Sequence, residues 1–152
     1  PKPQNPIKVK LYKLLKMSLN ITTRVCTQDD SATCAKFNVE MAFETEGKNL
    51  DYDTVFNGCS NLIAKPKYGV YYIAEVINEE GVVIPVGCTM CTFEMQPRLG
   101  GVIRMIQSVF VAKDFRNKGV YRTLYNNVIR EAKEDPITKG VRLYVEHENY
   151  TA

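Results

Sequence analysis

The chain has 152 residues, 45% of them hydrophobic and 24% charged, with a formal net charge of +3. That length supports one domain around one core, and the composition is ordinary for a globular protein. No apolar run nears the ~20 residues of a membrane span, and no stretch reads as a secretory signal. The charge is unevenly spread: residues 1–28 hold Lys2, Lys8, Lys10, Lys13, Lys16 and Arg24 and no acid, leaving 14 basic against 17 acidic residues in the rest. A mildly acidic body with scattered signs gives nucleic acid no basic surface to bind.

Residues 1–16, PKPQNPIKVKLYKLLK, read as a basic extended arm or a leader ahead of a start at Met17. Such an arm also has the pattern of a strand that joins a partner's sheet edge, so it is one candidate surface for a protein partner. Ile21 to Thr27 alternates and predicts the first strand. Asp29-Asp30-Ser31 offers N-caps for a helix from about Ala32 to Phe43, stopped by Gly47. Asp53 is the expected cap of a second helix with Val55, Phe56, Cys59, Leu62 and Ile63 on one stripe, ended by Pro66. Val70–Ile77, Val82–Met95 and Val102–Ala112 are β-rich runs separated by turns at Asn78–Gly81 and Gln96–Gly101, the pattern of an antiparallel meander. A charged turn, Lys113 to Gly119, opens directly into the most periodic segment of the chain. There Val120, Tyr121, Leu124, Tyr125, Val128, Ile129 and Ala132 lie opposite Arg122, Thr123, Asn126, Asn127, Arg130 and Glu131. Val141, Leu143 and Val145 then alternate as a fifth strand, so strand, helix and strand make a parallel βαβ unit in an otherwise antiparallel sheet. The fold class is α/β with a mixed sheet.

Five cysteines make an odd count with no disulfide framework. Cys88 and Cys91 are three apart on a strand pattern, which turns them to opposite faces and away from a shared metal. Buried, reduced thiols are the expectation, and they favour the cytoplasm or another reducing compartment.

The turn before the long helix carries the chemistry. A helix N-terminus leaves up to four backbone amides without intrahelical acceptors at the positive end of the dipole. Gly119 lets a ligand approach the backbone, and Arg116, Lys118 and Arg122 add charge, so a diphosphate suits this turn. Val109-Phe110-Val111 followed by Arg116-Asn117-Lys118-Gly119-Val120-Tyr121 resembles the acetyl-CoA-binding core of the GCN5-related N-acetyltransferases, with their signature Gln/Arg-x-x-Gly-x-Gly/Ala. The segments Ile106–Val111, Arg122–Tyr125, Arg142–Glu146 and Phe37-Asn38 to Gly47 are similar to one branch of that superfamily, and the resemblance extends over residues 21–152. The signature alone is common: Arg98-Leu99-Gly100-Gly101 matches it too, but lies in a turn between strands, whereas the copy at Arg116 lies between strand and helix. Tyr121 stands where the family most often has Gly or Ala, and its ring is expected to turn toward the sheet.

The resemblance implies an acyl-CoA-dependent N-acetyltransferase with acetyl-CoA as cosubstrate and an amine as acceptor, built on a mixed, mostly antiparallel sheet flanked by helices. It assigns cofactor binding to Val109, Phe110, Val111, Arg116, Asn117, Lys118, Gly119, Val120, Tyr121, Arg122 and Asn149. It also implies a strand bulge at Val109–Val111 that turns backbone groups toward the thioester. In the family, Asn-x-x-Ala, here Asn149 to Ala152, opens a further helix and strands follow, so residues 17–152 read as a C-terminally incomplete copy. That incomplete side is a second candidate surface for a protein partner.

An alkyl amine with a pKa near ~10 is protonated at neutral pH, so a carboxylate must take its proton directly or through water. Glu94, Glu146 and Glu148 lie near predicted strand ends, with Glu146 preferred. Gln107, on the central strand, cannot act as a base but can orient a water. His147 is the only histidine and has no nucleophile beside it in sequence. Glu44 and Glu46 oppose the dipole at the end of the first helix, which hints at a cationic acceptor. Two alternatives stand beside the enzyme: a non-catalytic assembly subunit of the same fold, and a generic nucleotide- or phosphate-binding domain.

Overall fold

Alternating and helical stripes dictate which segments pair and which cover them, and the computed structural model describes residues 20–145. The elements are β1 (Ile21–Val25), α1 (Ser31–Glu46), α2 (Tyr52–Ile63), β2 (Gly69–Ile77), β3 (Val83–Gln96), β4 (Gly101–Val111), α3 (Val120–Glu134) and β5 (Thr138–Leu143). The basic arm and the residues from Glu146 onward, including His147, Glu148, Asn149 and Tyr150, lie outside the described residues. The five strands form one sheet in the order β1-β2-β3-β4-β5. Neighbours from β1 to β4 are antiparallel, and β4 and β5 are parallel, joined through α3. The expected α/β class, meander and βαβ unit are all present.

α3 covers one face of the sheet. Its Val120, Leu124 and Val128 pack with Tyr72, Val86, Cys91 and Ile106, and each such fully buried aliphatic side chain contributes about 2 kcal/mol. α1 and α2 cover the other face, where Cys34, Ala35 and Cys59 meet Tyr71 and Ile73. Cys88 and Cys91 point to opposite faces, in the clusters beneath α1 and α3 respectively. Gly87 has no room for a side chain: a Cβ would lie 2.6 Å from the Phe110 carbonyl oxygen and 3.1 Å from Val120. This bareness lets β3, β4 and the start of α3 come together.

Several local expectations are corrected. α1 runs on to Glu46 before Gly47 ends it at φ 65°, with the Gly47 and Lys48 amides donating back to Phe43 and Ala42. Asp30 does not cap α1 with its side chain; its carboxylate accepts from the Thr27 amide and from Arg24, which offers the nearer charge. The cap of α2 is Asp51, not Asp53: the Asp51 side chain accepts from the Thr54 amide at 2.8 Å. On α3 the buried stripe is Val120, Leu124, Asn127, Val128 and Ala132, and Tyr121 is exposed. Asn127 tolerates burial because its amide is satisfied by Arg130 and Glu131, one turn on. β5 begins at Thr138 and leaves Val145 outside the strand.

Candidate functional site

β4 changes character half-way along. Its first half, from Val102 to Ile106, pairs with β3 on one side and with β5 on the other, the last parallel pair being Ile106 with Leu143. Met90 then opposes Ser108 while Cys91 opposes Ile106, so Gln107 is an extra residue on β4. This is a β-bulge, and it lies two residues earlier than the resemblance implied. Side chains hold it there: the Thr89 hydroxyl donates to the Ser108 carbonyl at 2.9 Å, and the Gln107 amide donates to the Thr92 hydroxyl at 2.8 Å. The extra residue flips the alternation. Arg104 and Ile106 face α3 before it; Val109 and Val111 face α3 after it, and Phe110 turns to α1. Beyond the bulge, among the described residues, β4 is paired with β3 alone. Its β5 side is an open strand edge.

The open edge leads into the turn before α3. Asn117 and Gly119 both take left-handed backbone, at φ 59° and 90°. Gly119 is the N-cap, and no side chain caps the helix. Among the described residues the amides of Val120, Tyr121 and Arg122 have no acceptor; the Thr123 amide and hydroxyl both bind the Gly119 carbonyl instead. A Cβ built on Gly119 meets nothing within 4 Å, so the protein leaves open space on that side of the helix start. Uncapped amides, open space and a positive dipole end fit a diphosphate.

The side chains around the turn are less uniform than their charges. Lys118 lies over the Phe115 ring, 5.5 Å from its centroid. Arg122 is exposed. Arg116, by contrast, is engaged by the protein: its Nε donates to the Val111 carbonyl at 2.9 Å and its Nη2 to Glu44. The Tyr121 ring does not turn toward the sheet; it is 47% exposed and stacks on Tyr125 at 6.0 Å, since Val120 already fills the space against β3.

Of the residues expected to do chemistry, Gln107 is at the bulge, exposed, beside the open edge. Glu94 opposes Ile103 instead, four residues down β4 and so roughly 13 Å away by strand rise. Its carboxylate is held by Arg142 across β4 at 3.7 Å and by Gln96. Glu146 and Asn149 are outside the described residues. The two acids closing α1 are both neutralised within the chain, Glu46 by Lys48 and Glu44 by Arg116 and Lys113. Their charge therefore gives no pointer to a cationic acceptor.

The sequence reading missed one feature, the polar cluster on Arg104. This side chain is buried on the α3 face, where Nη1 donates to the Tyr72 hydroxyl at 3.0 Å, Nη2 lies 3.3 Å from Asp135, and Glu131 is 3.6 Å away. Tyr72 in turn donates to Glu131 at 2.6 Å. Burial and the Glu131 carboxylate push the Tyr72 hydroxyl pKa above its ordinary value, so it stays a donor. A charged residue in mid-strand between Ile103 and Met105 was the available signal.

Residues 35–152 match the family of GNAT acetyltransferases. The chain belongs to that family. A possible acetyltransferase from Clostridium difficile 630 is 37% identical, with 86% of this chain and 82% of that one covered and a TM-score of 0.76. At lower identity the fold alone is shared. An aminoglycoside N-acetyltransferase in complex with CoA is 14% identical (88% and 82% covered, TM-score 0.67). A ribosomal-protein-alanine N-acetyltransferase from Brucella melitensis biovar Abortus 2308 is 15% identical (84% and 82% covered, TM-score 0.63). No curated protein matches the chain. As a GNAT-family member it is an acetyltransferase in general terms, with acetyl-CoA as the family's cosubstrate. Among the described residues no helix is long and apolar enough to cross a membrane.

Proposed function

We propose that this chain transfers an acetyl group from acetyl-CoA directly to an amine, with the diphosphate on the amides of Val120, Tyr121 and Arg122 and the pantetheine arm along the open edge of Val109–Val111. The observation that carries this reading is the parting of β4 from β5 after Ile106, next to an uncapped helix start. A free strand edge offers hydrogen bonds to an amide-bearing arm, and the helix start offers them to the anion at its end. Lys118 and Arg122 supply the compensating charge; Asn149 belongs to the same proposed cofactor set.

The reaction needs a neutral amine. Gln107, on the bulge beside the edge, orients a water that relays the ammonium proton toward a carboxylate, for which Glu146 is the preferred acceptor and Glu94, tied to Arg142, the second choice. The amine nitrogen then attacks the thioester carbon and a backbone amide of the bulged strand stabilises the oxyanion; the carbon–sulfur bond breaks to release a thiolate, and the proton shed by the nitrogen passes to it, giving CoA thiol and the N-acetyl product.

Titration with CoA, acetyl-CoA and ATP tests the binding half. CoA and acetyl-CoA are expected to raise the unfolding temperature, with about 2.7 kcal/mol of added stability at a hundred times Kd, and ATP to leave it unchanged. Release of thiol from acetyl-CoA across a panel of small amines, peptide lysines and peptide N-termini tests the transfer. Stabilisation by ATP but not CoA would replace the reading with a generic nucleotide site, and no thiol release with any amine would leave a CoA-binding domain without transfer.

A further inference from the structure

One stripe of α1 follows the open half of β4 turn by turn. Phe37 stacks on Phe110 with ring centroids 4.8 Å apart, and Met41 packs against the same cluster. Glu44 is on the next turn of that stripe and reaches past the end of the strand to Arg116 and Lys113. The helix thus runs alongside the chain from Phe110, near the end of β4, to Arg116 in the turn that follows.

Glu44 is poorly placed for its own helix. The last turn of α1 contains no basic residue to balance it, and a carboxylate there faces the negative end of the dipole. Its side chain is half-buried, so water compensates it only in part. Compensation comes chiefly from Arg116, 72 residues away in the chain, with the exposed Lys113 ammonium at 3.5 Å beside it. The Arg116 guanidinium has two attachments: Nη2 on Glu44 and Nε on the Val111 carbonyl, the last residue of β4. The second bond ties the end of the strand to the turn that starts α3. A guanidinium freed from its carboxylate would follow solvent or the nearest anion and give up that tie.

We propose that Glu44 is a positioning residue for cofactor binding: it pins Arg116 between α1 and the Val111 carbonyl, and so sets the shape of the turn 112–119 whose amides receive the diphosphate. The inference rests on the diphosphate assignment above, whereas the clasp itself does not. It makes Arg116 a fastener of the turn rather than a ligand of the phosphates, and it joins α1 to the cofactor end of the molecule as one unit.

The test uses the full chain with Glu44→Ala, Glu44→Gln, Arg116→Gln and the Glu44→Ala/Arg116→Gln double variant. The readouts are amide hydrogen exchange over residues 112–119 without cofactor and the Kd for CoA by calorimetry. Either Glu44 substitution is expected to speed exchange in this turn and weaken CoA binding by about three- to fivefold each, the scale of a partly exposed ion pair. Gln at position 116 can still donate to the Val111 carbonyl without a counter-charge. In that background only the exposed Lys113 ammonium still faces Glu44, a pair worth little, so Glu44→Ala is expected to change neither readout by more than about twofold. Tighter CoA binding in Glu44→Ala would overturn the proposal, because Glu44 would then be a competitor of the diphosphate for Arg116. Unchanged exchange over 112–119 would overturn it too. If the unmodified chain binds no CoA, the functional reading falls, and the exchange arm alone decides whether Glu44 shapes the turn.

Discussion

The two halves of β4 are continuous in sequence and opposite in design. From Val102 to Ile106 the strand is paired on both sides, and the buried Arg104 ties it to β2, to the last turn of α3 and to the entry of β5. From Gln107 to Val111 it is paired on one side only, held from above by Phe37 and from its end by Arg116. The first half decides where β5 lies, and in the proposed function the second is where the ligand enters. A binding edge in the middle of a sheet requires this asymmetry: two strands that stayed paired throughout would leave no free backbone, and two that never paired would leave the edge without a fixed direction.

Breaking the closed half is expected to have the largest effect. Arg104→Leu removes the buried cation between Tyr72, Glu131 and Asp135, leaving Glu131 only the exposed Arg130, and is expected to cost about 3 kcal/mol in urea unfolding, at the low end for a broken buried pair because the carboxylates are partly exposed. A loss below about 1 kcal/mol would mean that α3 packing alone fixes β5. Gly119→Ala comes next. Its φ of 90° strains any other residue although the space is clear, so about 1 kcal/mol of stability is expected to go, with weaker CoA binding in calorimetry. If stability falls and affinity does not, the turn is a structural cap only.

Acid gives a smaller and graded test. Bonds from Thr138, then from the Ile137 amide and Arg104, hold the Asp135 carboxyl below its ordinary value. A depressed folded pKa contributes stability that is fully present above the unfolded value near ~3.9 and is lost as pH falls through the folded one. The closed half is therefore expected to loosen only at pH below the ordinary carboxylate range, and Asp135→Asn to flatten that acid limb in a pH series of unfolding midpoints. The smallest effect on the fold is expected from Gln107→Ala, within about 0.5 kcal/mol, because the residue is exposed. Turnover is nevertheless expected to drop about tenfold with CoA affinity unchanged, the signature of a group that orients rather than binds. Equal loss of affinity and turnover would make it part of the cofactor edge.

Much of this comparison is invisible in the one-dimensional pattern. VIRMIQSVFVA reads as one alternating strand, yet the bulge at Gln107 reverses the faces of every residue after it. Nothing local marks the slip, because its supports, Thr89 and Thr92, are on another strand. Arg104 reads as an oddity in an apolar run until Asp135 and Tyr72 are brought to it from residues 31 and 32 positions away. Tyr121 lies outside the buried stripe for a related reason: helical spacing marks a stripe, and only the packing of Val120 and Leu124 decides which edge of it is left outside.

Five strands, three helices, the glycine at the head of α3 and the family itself follow from the order of residues alone. Periodicity, caps and turn chemistry act over a few neighbours, and a sequence displays its neighbours. The splay of β4 from β5, the place of the bulge, the Arg104 cluster and the grip of Glu44 on Arg116 were decided by tertiary structure. Each depends on partners dozens of residues apart, whose meeting is set by the competition of all the packed faces at once rather than by any segment's own preference.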